Sequence, residues 1–297
     1  MSGTRRALLP LAFVSALAVV VATGCSSGGG TKTTPTTTPS ASVSPTATAS
    51  PSPSPTVTPT STSAASVYFL KGEKLQPALR KVAGPSVGAD AVRWLLVGPS
   101  PGERARGLTS TIPAGTTLNG LDIKAGLATV DLSKRFESGG GTLSMTARVA
   151  EVVFTLTQFP TANRVSFKLD GKPVTSLGGE GILLDKPQRR SDYEDLSPAV
   201  LVESPRWDEK VSSPLRVSGT ANVFEGVFFV EVRDDRGKVL VSQRVMASSG
   251  TGTRGTFAVT VRASITDPGL GTLRTFVYSA KDGSRQDVSS TPLTLVP

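Results

Sequence analysis

The chain contains one cysteine, Cys25, and no histidine among its 297 residues. No disulfide can form within it, so its folded parts must be stabilised by hydrophobic cores, and the length is enough for about two. The lack of histidine excludes a Ser-His-Asp triad, an imidazole general base and any zinc site that uses histidine. If Cys25 is modified, no thiol remains for nucleophilic chemistry.

Cys25 follows a segment with the order of parts found in a secretory signal. Arg5 and Arg6 form a basic region, residues 7–21 are mainly apolar, and the three residues before Cys25 are small. A membrane span needs about 20 apolar residues, more than this segment offers. We predict a lipoprotein signal peptide at residues 1–24, lipid on Cys25 and a location on the outer face of the cell membrane. The alternative is an uncleaved signal anchor with a stray cysteine.

The positive charge of the chain is modest and dispersed. Its 32 Lys and Arg residues outnumber 23 Asp and Glu, which gives a formal net charge of +9, and removal of residues 1–24 leaves +7. No run of basic residues interleaved with aromatics is present, so we do not expect nucleic acid binding. Lipid headgroups and anionic wall polymers would be attracted weakly, and a basic surface kept for solubility explains the charge equally well.

Residues 25–66 are dominated by Thr, Ser, Pro and Ala. A segment with so few apolar groups cannot bury a core, so we predict a disordered stalk. Its prolines favour extended polyproline II, at about 3.1 Å per residue. Such a stalk would hold a folded part away from the membrane.

Residues 67–182 carry the alternating patterns of an α+β module. The order β-α-β-β-α-β predicts helices that cover one sheet. On the second helix, Val153 belongs to an apolar stripe, and the polar residues Arg148, Glu151 and Thr155 are expected to point away from the core. The predicted elements are strands at 67–70, 121–123, 128–132 and 165–169, and helices at 89–97 and 145–159.

Residues 183–198 and 199–297 differ from this module in pattern. Residues 183–198 place basic residues before acidic ones, which favours a solvated linker over a calcium site. Residues 199–297 show short strands at regular spacing, typical of an immunoglobulin-like sandwich, here without a cysteine pair. Because the linker has few apolar residues, we expect the two modules to unfold independently.

Ordered motifs in both modules resemble known families. The first module resembles the GerMN domain of sporulation and germination proteins and of actinobacterial lipoproteins, through Trp94 to Pro99, Gly107 to Thr116, Gly126 to Ser133 and Thr155 to Pro160. The second is similar to the immunoglobulin-like domain of bacterial spore germination, through Ser213 to Glu225 and Phe276 to Gly283. The resemblance implies a compact α/β module similar to ring-building modules, hence an oligomer through this domain, and it brings no catalytic residues.

Three residues are candidates for catalytic or binding sites. Ser100 lies in a G-x-S-x-G pattern, but it follows a helix, prolines flank it and no histidine can take its proton, so we interpret the segment as a turn. Trp207 and Phe224 are candidates for exposed binding anchors, but burial in the sandwich is the favoured interpretation for both.

The sequence therefore predicts a non-enzymatic lipoprotein that acts as a binding or assembly module at the cell envelope, without cofactor or metal. Its expected partners are the membrane, through lipid on Cys25, and a wall polymer or an envelope protein. A regulatory partner of an envelope sensor kinase, which the GerMN resemblance suggests, is the first alternative. A wall-polymer hydrolase using carboxylates alone is the second.

Overall fold

The computed structural model describes residues 62–178 and 181–297. The predicted signal peptide, Cys25 and residues 25–61 of the predicted stalk lie outside the described residues. Within the described ranges, no helix has the length and apolar character needed to cross a membrane.

The chain enters the first module through an antiparallel hairpin. Strand β1 (Thr62–Lys71) pairs along its whole length with β2 (Lys74–Ala83), and the short strand β3 (Leu108–Thr109) joins the other side of β1. The prediction of a stalk up to residue 66 is therefore wrong for its last five residues. β2 was not predicted, because four consecutive residues of it are buried and its pattern does not alternate.

Two predicted helices are present, and a third was missed. The predicted helices are α1 (Val87–Val97) and α3 (Thr142–Leu156). The missed helix is the short α2 (Pro101–Ala105), which follows α1. α1 ends at Gly98, whose φ of +83° suits a residue without a Cβ. α3 begins three residues earlier than predicted, and the chain turns before Pro160.

The remaining strands of the first module form separate sheets. β4 (Leu118–Lys124), β5 (Gly126–Leu132), β6 (Ala162–Leu169) and β7 (Lys172–Pro173) form a sheet in that order, with β5 and β6 parallel across α3. β8 (Ser176–Leu177) pairs with β9 (Ile182–Leu183). The α+β class and the order of predicted elements are confirmed, but the strands do not form one sheet.

This arrangement buries α3 on all sides from Ala147 to its end. Its residues contact β1 on one side and β6 on the other, and every residue from Ala147 to Leu156 is buried. The prediction that Arg148, Glu151 and Thr155 point away from the core is wrong, because β1 covers Thr155 and two loops cover the other two residues. The Tyr68 backbone N–H, for example, donates to the Thr155 hydroxyl at 3.1 Å.

The segment 183–198 is packed against the first module. It contains a 3-10 helix at Arg190–Leu196, whose Tyr193 and Leu196 side chains are buried. The backbones of Gln188 and Val165 exchange hydrogen bonds of 2.7 and 2.9 Å. The expectation of a solvated linker is therefore wrong, because these apolar side chains complete the first core.

The second module is the predicted all-β sandwich. One sheet has the order β10-β12-β15 and the other the order β11-β17-β16-β13-β14. Phe228, Val230 and Val232 line the core between the sheets. The strands are β10 (Val200–Ser204), β11 (Lys210–Val211), β12 (Leu215–Ala221), β13 (Val227–Asp234), β14 (Val239–Met246), β15 (Gly255–Val261), β16 (Gly269–Tyr278) and β17 (Arg285–Leu295).

The hydrophobic core of the first module extends into the second. Leu201 of β10 and Trp207 of the following loop belong to the same buried cluster as Val153 of α3. The two modules therefore share apolar packing, which argues against independent unfolding.

Candidate functional sites

Trp207 is buried where the two modules meet, with 2% of its surface exposed. Its backbone N–H donates to the Pro77 carbonyl of β2 at 3.3 Å. The Lys71 ammonium lies 5.0 Å from the centre of its ring, and the Arg106 guanidinium lies 5.4 Å from it. The candidacy of Trp207 as an exposed binding anchor is wrong, because β2 and these two cations cover the ring.

A buried polar network also joins the modules. The Tyr68 hydroxyl of β1 donates to the Glu203 carboxylate of β10 at 2.5 Å, and Arg190 donates to the same oxygen at 2.6 Å. Burial raises the pKa of Tyr68, so this hydroxyl stays protonated. Arg190 also lies 4.7 Å from the Phe154 ring of α3. The network fixes the position of the second module on the first.

Glu151 is the carboxyl in the first module that most resembles a catalytic group. Burial raises its pKa to about 7, opposed by hydrogen bonds from Ser110 and Thr111. Its oxygens accept from the Ser110 hydroxyl at 2.6 Å and from the Thr111 N–H and hydroxyl at 2.9 Å. Because Glu151 has no exposed surface, it cannot contact a substrate in this conformation. Its place in the structure is to anchor the loop after β3.

Arg148, one turn before Glu151, has a similar structural role. Its guanidinium donates to the carbonyl oxygens of Phe136 at 2.6 Å, Ser138 at 3.2 Å and Gly139 at 2.9 Å. These contacts hold the glycine-rich loop that leads into α3. Both charged residues of α3 therefore stabilise loops.

Ser100 caps the short helix α2. Its hydroxyl accepts from the Glu103 N–H at 3.3 Å, and the Glu103 carboxylate accepts from the Ser100 N–H at 2.6 Å. Glu103 is also paired with Arg80 at 2.6 Å. This capping box explains the serine between two prolines, which the sequence presented as a turn.

Phe224 is the sequence candidate that the structure places on the surface, with 74% of the residue exposed. It begins a tight turn in which Glu225 has a φ of +53°. The Glu225 N–H donates to the Thr251 hydroxyl at 2.9 Å, and the Thr251 N–H donates to the Val223 carbonyl at 2.9 Å. A Cβ on Gly250 would lie 2.3 Å from the Gly226 nitrogen, so only glycine permits this approach. The turn is thus fixed on both sides of Phe224.

Two further exposed apolar residues lie at the same end of the five-stranded sheet. Val227, which follows the turn, is opposite Met246 at the end of β14, and Phe229 is opposite Phe276 near the end of β16. Met246 is 63% exposed and Tyr278 is 47% exposed. We call Phe224, Met246 and Tyr278 the apical surface.

The apical surface adjoins an unpaired sheet edge. Among the described strands, β14 pairs with β13 alone, so its outer backbone groups are free to bond with another chain. Met246 and Tyr278 were missed from the sequence, because each ends a strand pattern whose other residues are consistent with a core. The tight turn at Phe224 is the feature that could have indicated an exposed surface at this end of the sheet.

The described residues contain no group of three or more His, Cys, Asp or Glu side chains placed to hold a metal ion. The polar groups with altered pKa values that are described above are bound to structural partners. What the surface offers is apolar and aromatic area on a rigid frame, which is suited to binding.

Comparison with protein families identifies both modules. Residues 66–175 match the family described as sporulation and spore germination, and residues 199–284 match the immunoglobulin-like domain of bacterial spore germination. No curated protein matches the chain.

Solved structures of GerMN domains are also similar to the chain. The first GerMN domain of the sporulation protein GerM from Bacillus subtilis is 24% identical, with 44% of this chain and 99% of that chain covered and a TM-score of 0.36. The tandem GerMN domains of the same protein are 18% identical, with 70% and 64% covered and a TM-score of 0.38. A candidate lipoprotein from Clostridium perfringens is 25% identical, with 46% and 93% covered and a TM-score of 0.34. All three TM-scores lie below 0.5, so the assignment of the domains rests on the two family models.

Proposed function

We propose, from the premise that the chain carries a GerMN domain followed by an immunoglobulin-like domain of bacterial spore germination, that it is a non-enzymatic binding or assembly module of the cell envelope. Lipid on Cys25 tethers it to the outer face of the membrane, and residues 26–61 form the connection to the folded part. The proposed host is an actinobacterium.

The observation that carries this proposal is Phe224, held on a rigid turn and largely exposed. Burying an aromatic side chain of this size in a partner stabilises a complex by about 1.5–3 kcal/mol. Because the turn is already fixed, little conformational entropy is lost when a partner binds. Met246 and Tyr278 extend the apolar area across neighbouring strands.

The junction between the modules supports the same role. Trp207 and the hydrogen-bonded network of Tyr68, Glu203 and Arg190 join the two domains, so a partner bound at the second module is held close to the first. This suits a protein that positions partners. The burial of Glu151, the carboxyl with a raised pKa, also favours a binding function over carboxylate-only hydrolysis.

Site-specific photocrosslinking in intact cells tests the proposal. A photoreactive residue at position 224 is expected to form a specific product with an envelope protein or wall polymer. Position 270 is the matched control, because Leu270 is 64% exposed and lies next to Gly271, which pairs with Asp234 at the far end of β13. Equal crosslinking at 224 and 270 would contradict the proposal. A product that contains a sensor kinase would select the regulatory alternative.

A further inference from the structure

The junction between the modules contains a cavity of about 280 Å³ that the apical surface does not use. The β1–β2 hairpin of the first module forms one wall, and the two residues before β10 and the first half of β17 form the other. Its polar lining residues are Lys71, Lys74, Gln76, Asp287, Ser289 and Ser290.

Two lysines face each other across the hairpin. Lys71 and Lys74 are direct partners in the register of β1 and β2, on either side of the Gly72-Glu73 turn. Side chains at directly opposite positions have Cβ atoms about 4.5–5.5 Å apart, and like charges there are destabilising. A hairpin selected for stability alone would place a carboxylate at one of the two positions.

Neither ammonium is neutralised by a carboxylate of the described residues. The Lys71 ammonium donates to the Ser290 carbonyl at 3.2 Å and to the Ser290 hydroxyl at 2.9 Å, and the Lys74 ammonium donates to the Asp195 carbonyl at 2.6 Å. Burial lowers the pKa of Lys71, which shows that its charge is partly desolvated without a compensating ion pair.

Two carboxyls lie near the lysines, and neither forms an ion pair with them. The pKa of Glu194 is lowered by its hydrogen bond to Arg254 and, more weakly, by Lys74, so this carboxylate is already bound. Asp287 lines the cavity but forms no ion pair with either lysine. It weakens the positive potential of the cavity without removing it.

We propose that this cavity binds a phosphate group through Lys71 and Lys74. Lysine binds phosphate as a point charge, and two lysines line the cavity. The hydroxyls of Ser289 and Ser290 supply further donors. A bound phosphate would pair with both ammonium charges, and this attraction drives binding.

Calorimetric titration of the full chain carrying Cys25→Ser, which prevents lipidation, tests the proposal. The probes are inorganic phosphate, soluble poly(glycerol phosphate), and phosphatidylglycerol vesicles with phosphatidylcholine vesicles as the neutral control. Saturable binding is expected for inorganic phosphate. Additional tight binding of the polymer identifies a wall polymer as the source of the group, and binding of the anionic vesicles identifies a lipid headgroup.

Substitutions in the cavity have opposite expected effects. Lys71→Gln and Lys74→Gln each weaken phosphate binding about three- to tenfold, because each removes a charged donor. Asp287→Asn strengthens it, and it fits the backbone because Asn tolerates the φ of +50° at this position. Lys281→Gln is the control, since Lys281 is an exposed lysine that does not line the cavity.

Two results would overturn the proposal: no saturable binding of any phosphate probe, or binding that neither Lys71→Gln nor Lys74→Gln weakens. Lys74 is exposed, so Lys74→Gln keeps the test valid even if Lys71→Gln disturbs the junction. Phe224→Ala is expected to leave phosphate binding unchanged, so the proposal does not rest on the apical surface and fails or succeeds separately from it.

Discussion

Tyr68 of β1 donates a hydrogen bond of 2.5 Å to Glu203 of β10, so a core residue of the first module is bonded directly to the first strand of the second. Both groups lie beside the apolar cluster that the modules share. The Tyr68 side chain is buried, and a hydrogen bond from a buried group is stronger than one exposed to water. It makes the junction a structural element with its own contribution to stability.

Tyr68→Phe tests that contribution. Removal of the hydroxyl leaves Glu203 with Arg190 as its partner, and we expect the free energy of unfolding to fall by about 1–2 kcal/mol. Chemical denaturation measures it. The control is Tyr278→Phe, at a half-exposed position, where a change within about 0.5 kcal/mol is expected. Equal effects of the two substitutions would show that the junction bond adds nothing.

Val153→Asp tests whether the modules unfold together. Val153 is fully buried in the cluster that contains Leu201 and Trp207. An unpaired charge there costs several kcal/mol, comparable to the stability of a domain, so we expect the variant to lose the cooperative transitions of both modules. Val97→Asp is the control, because Val97 is 71% exposed on α1. Calorimetry that retains a cooperative sandwich transition in Val153→Asp would show that the modules are independent.

Hydrophobic periodicity predicted the helices and strands that show a clear pattern in their own sequence. The helices at 89–97 and 145–159, the hairpin of β4 and β5, and the sandwich strands β12 to β16 were found near their predicted positions, whereas β10, β11 and β17 were not predicted. Motif resemblance identified both domains before the fold was known, and the family models agree with it. Phe224 was a candidate only as one of two aromatic residues, and the burial that the sequence favoured for it is wrong.

The errors share one physical cause, which is burial by partners distant in sequence. β1 covers Thr155 on the polar face of α3, although the two lie almost ninety positions apart in the sequence. Trp207 is covered by β2, and Tyr193 is buried by a core that the local sequence does not show. The hydrophobic pattern of a segment predicts which of its faces is apolar. It cannot show which distant segment covers a polar face.

Cys25→Ser tests the anchor. If Cys25 carries lipid, the variant should lose labelling by a palmitate analogue and should no longer partition into the detergent phase. A single acyl chain binds membranes only marginally, and more than one chain is needed for stable anchoring. Ser26→Ala, at the neighbouring position, is the control and should be labelled normally. Unchanged labelling of Cys25→Ser would rule out this residue as the attachment site.

Glu151 predicts how stability depends on pH. Burial raises the pKa of this carboxyl from 4.5 to about 7 in the folded chain. Between these values the folded state binds more protons than the unfolded state, so the free energy of unfolding falls as pH rises. The contribution is fully present below pH 4.5 and is lost as pH passes through about 7, by an amount on the order of a few kcal/mol.

The chain lends itself to this measurement because it has no histidine to titrate in the same window. The pKa of Glu194, by contrast, is lowered by Arg254, so its contribution is lost only under more acidic conditions. Chemical denaturation of the chain at a series of pH values from 4.5 to 8 should show the slope, and Glu151→Gln should abolish most of it because glutamine does not titrate. Glu73→Gln, in the exposed turn between β1 and β2, should keep the slope. A Glu151→Gln variant with the original pH dependence would mean that another group holds the proton.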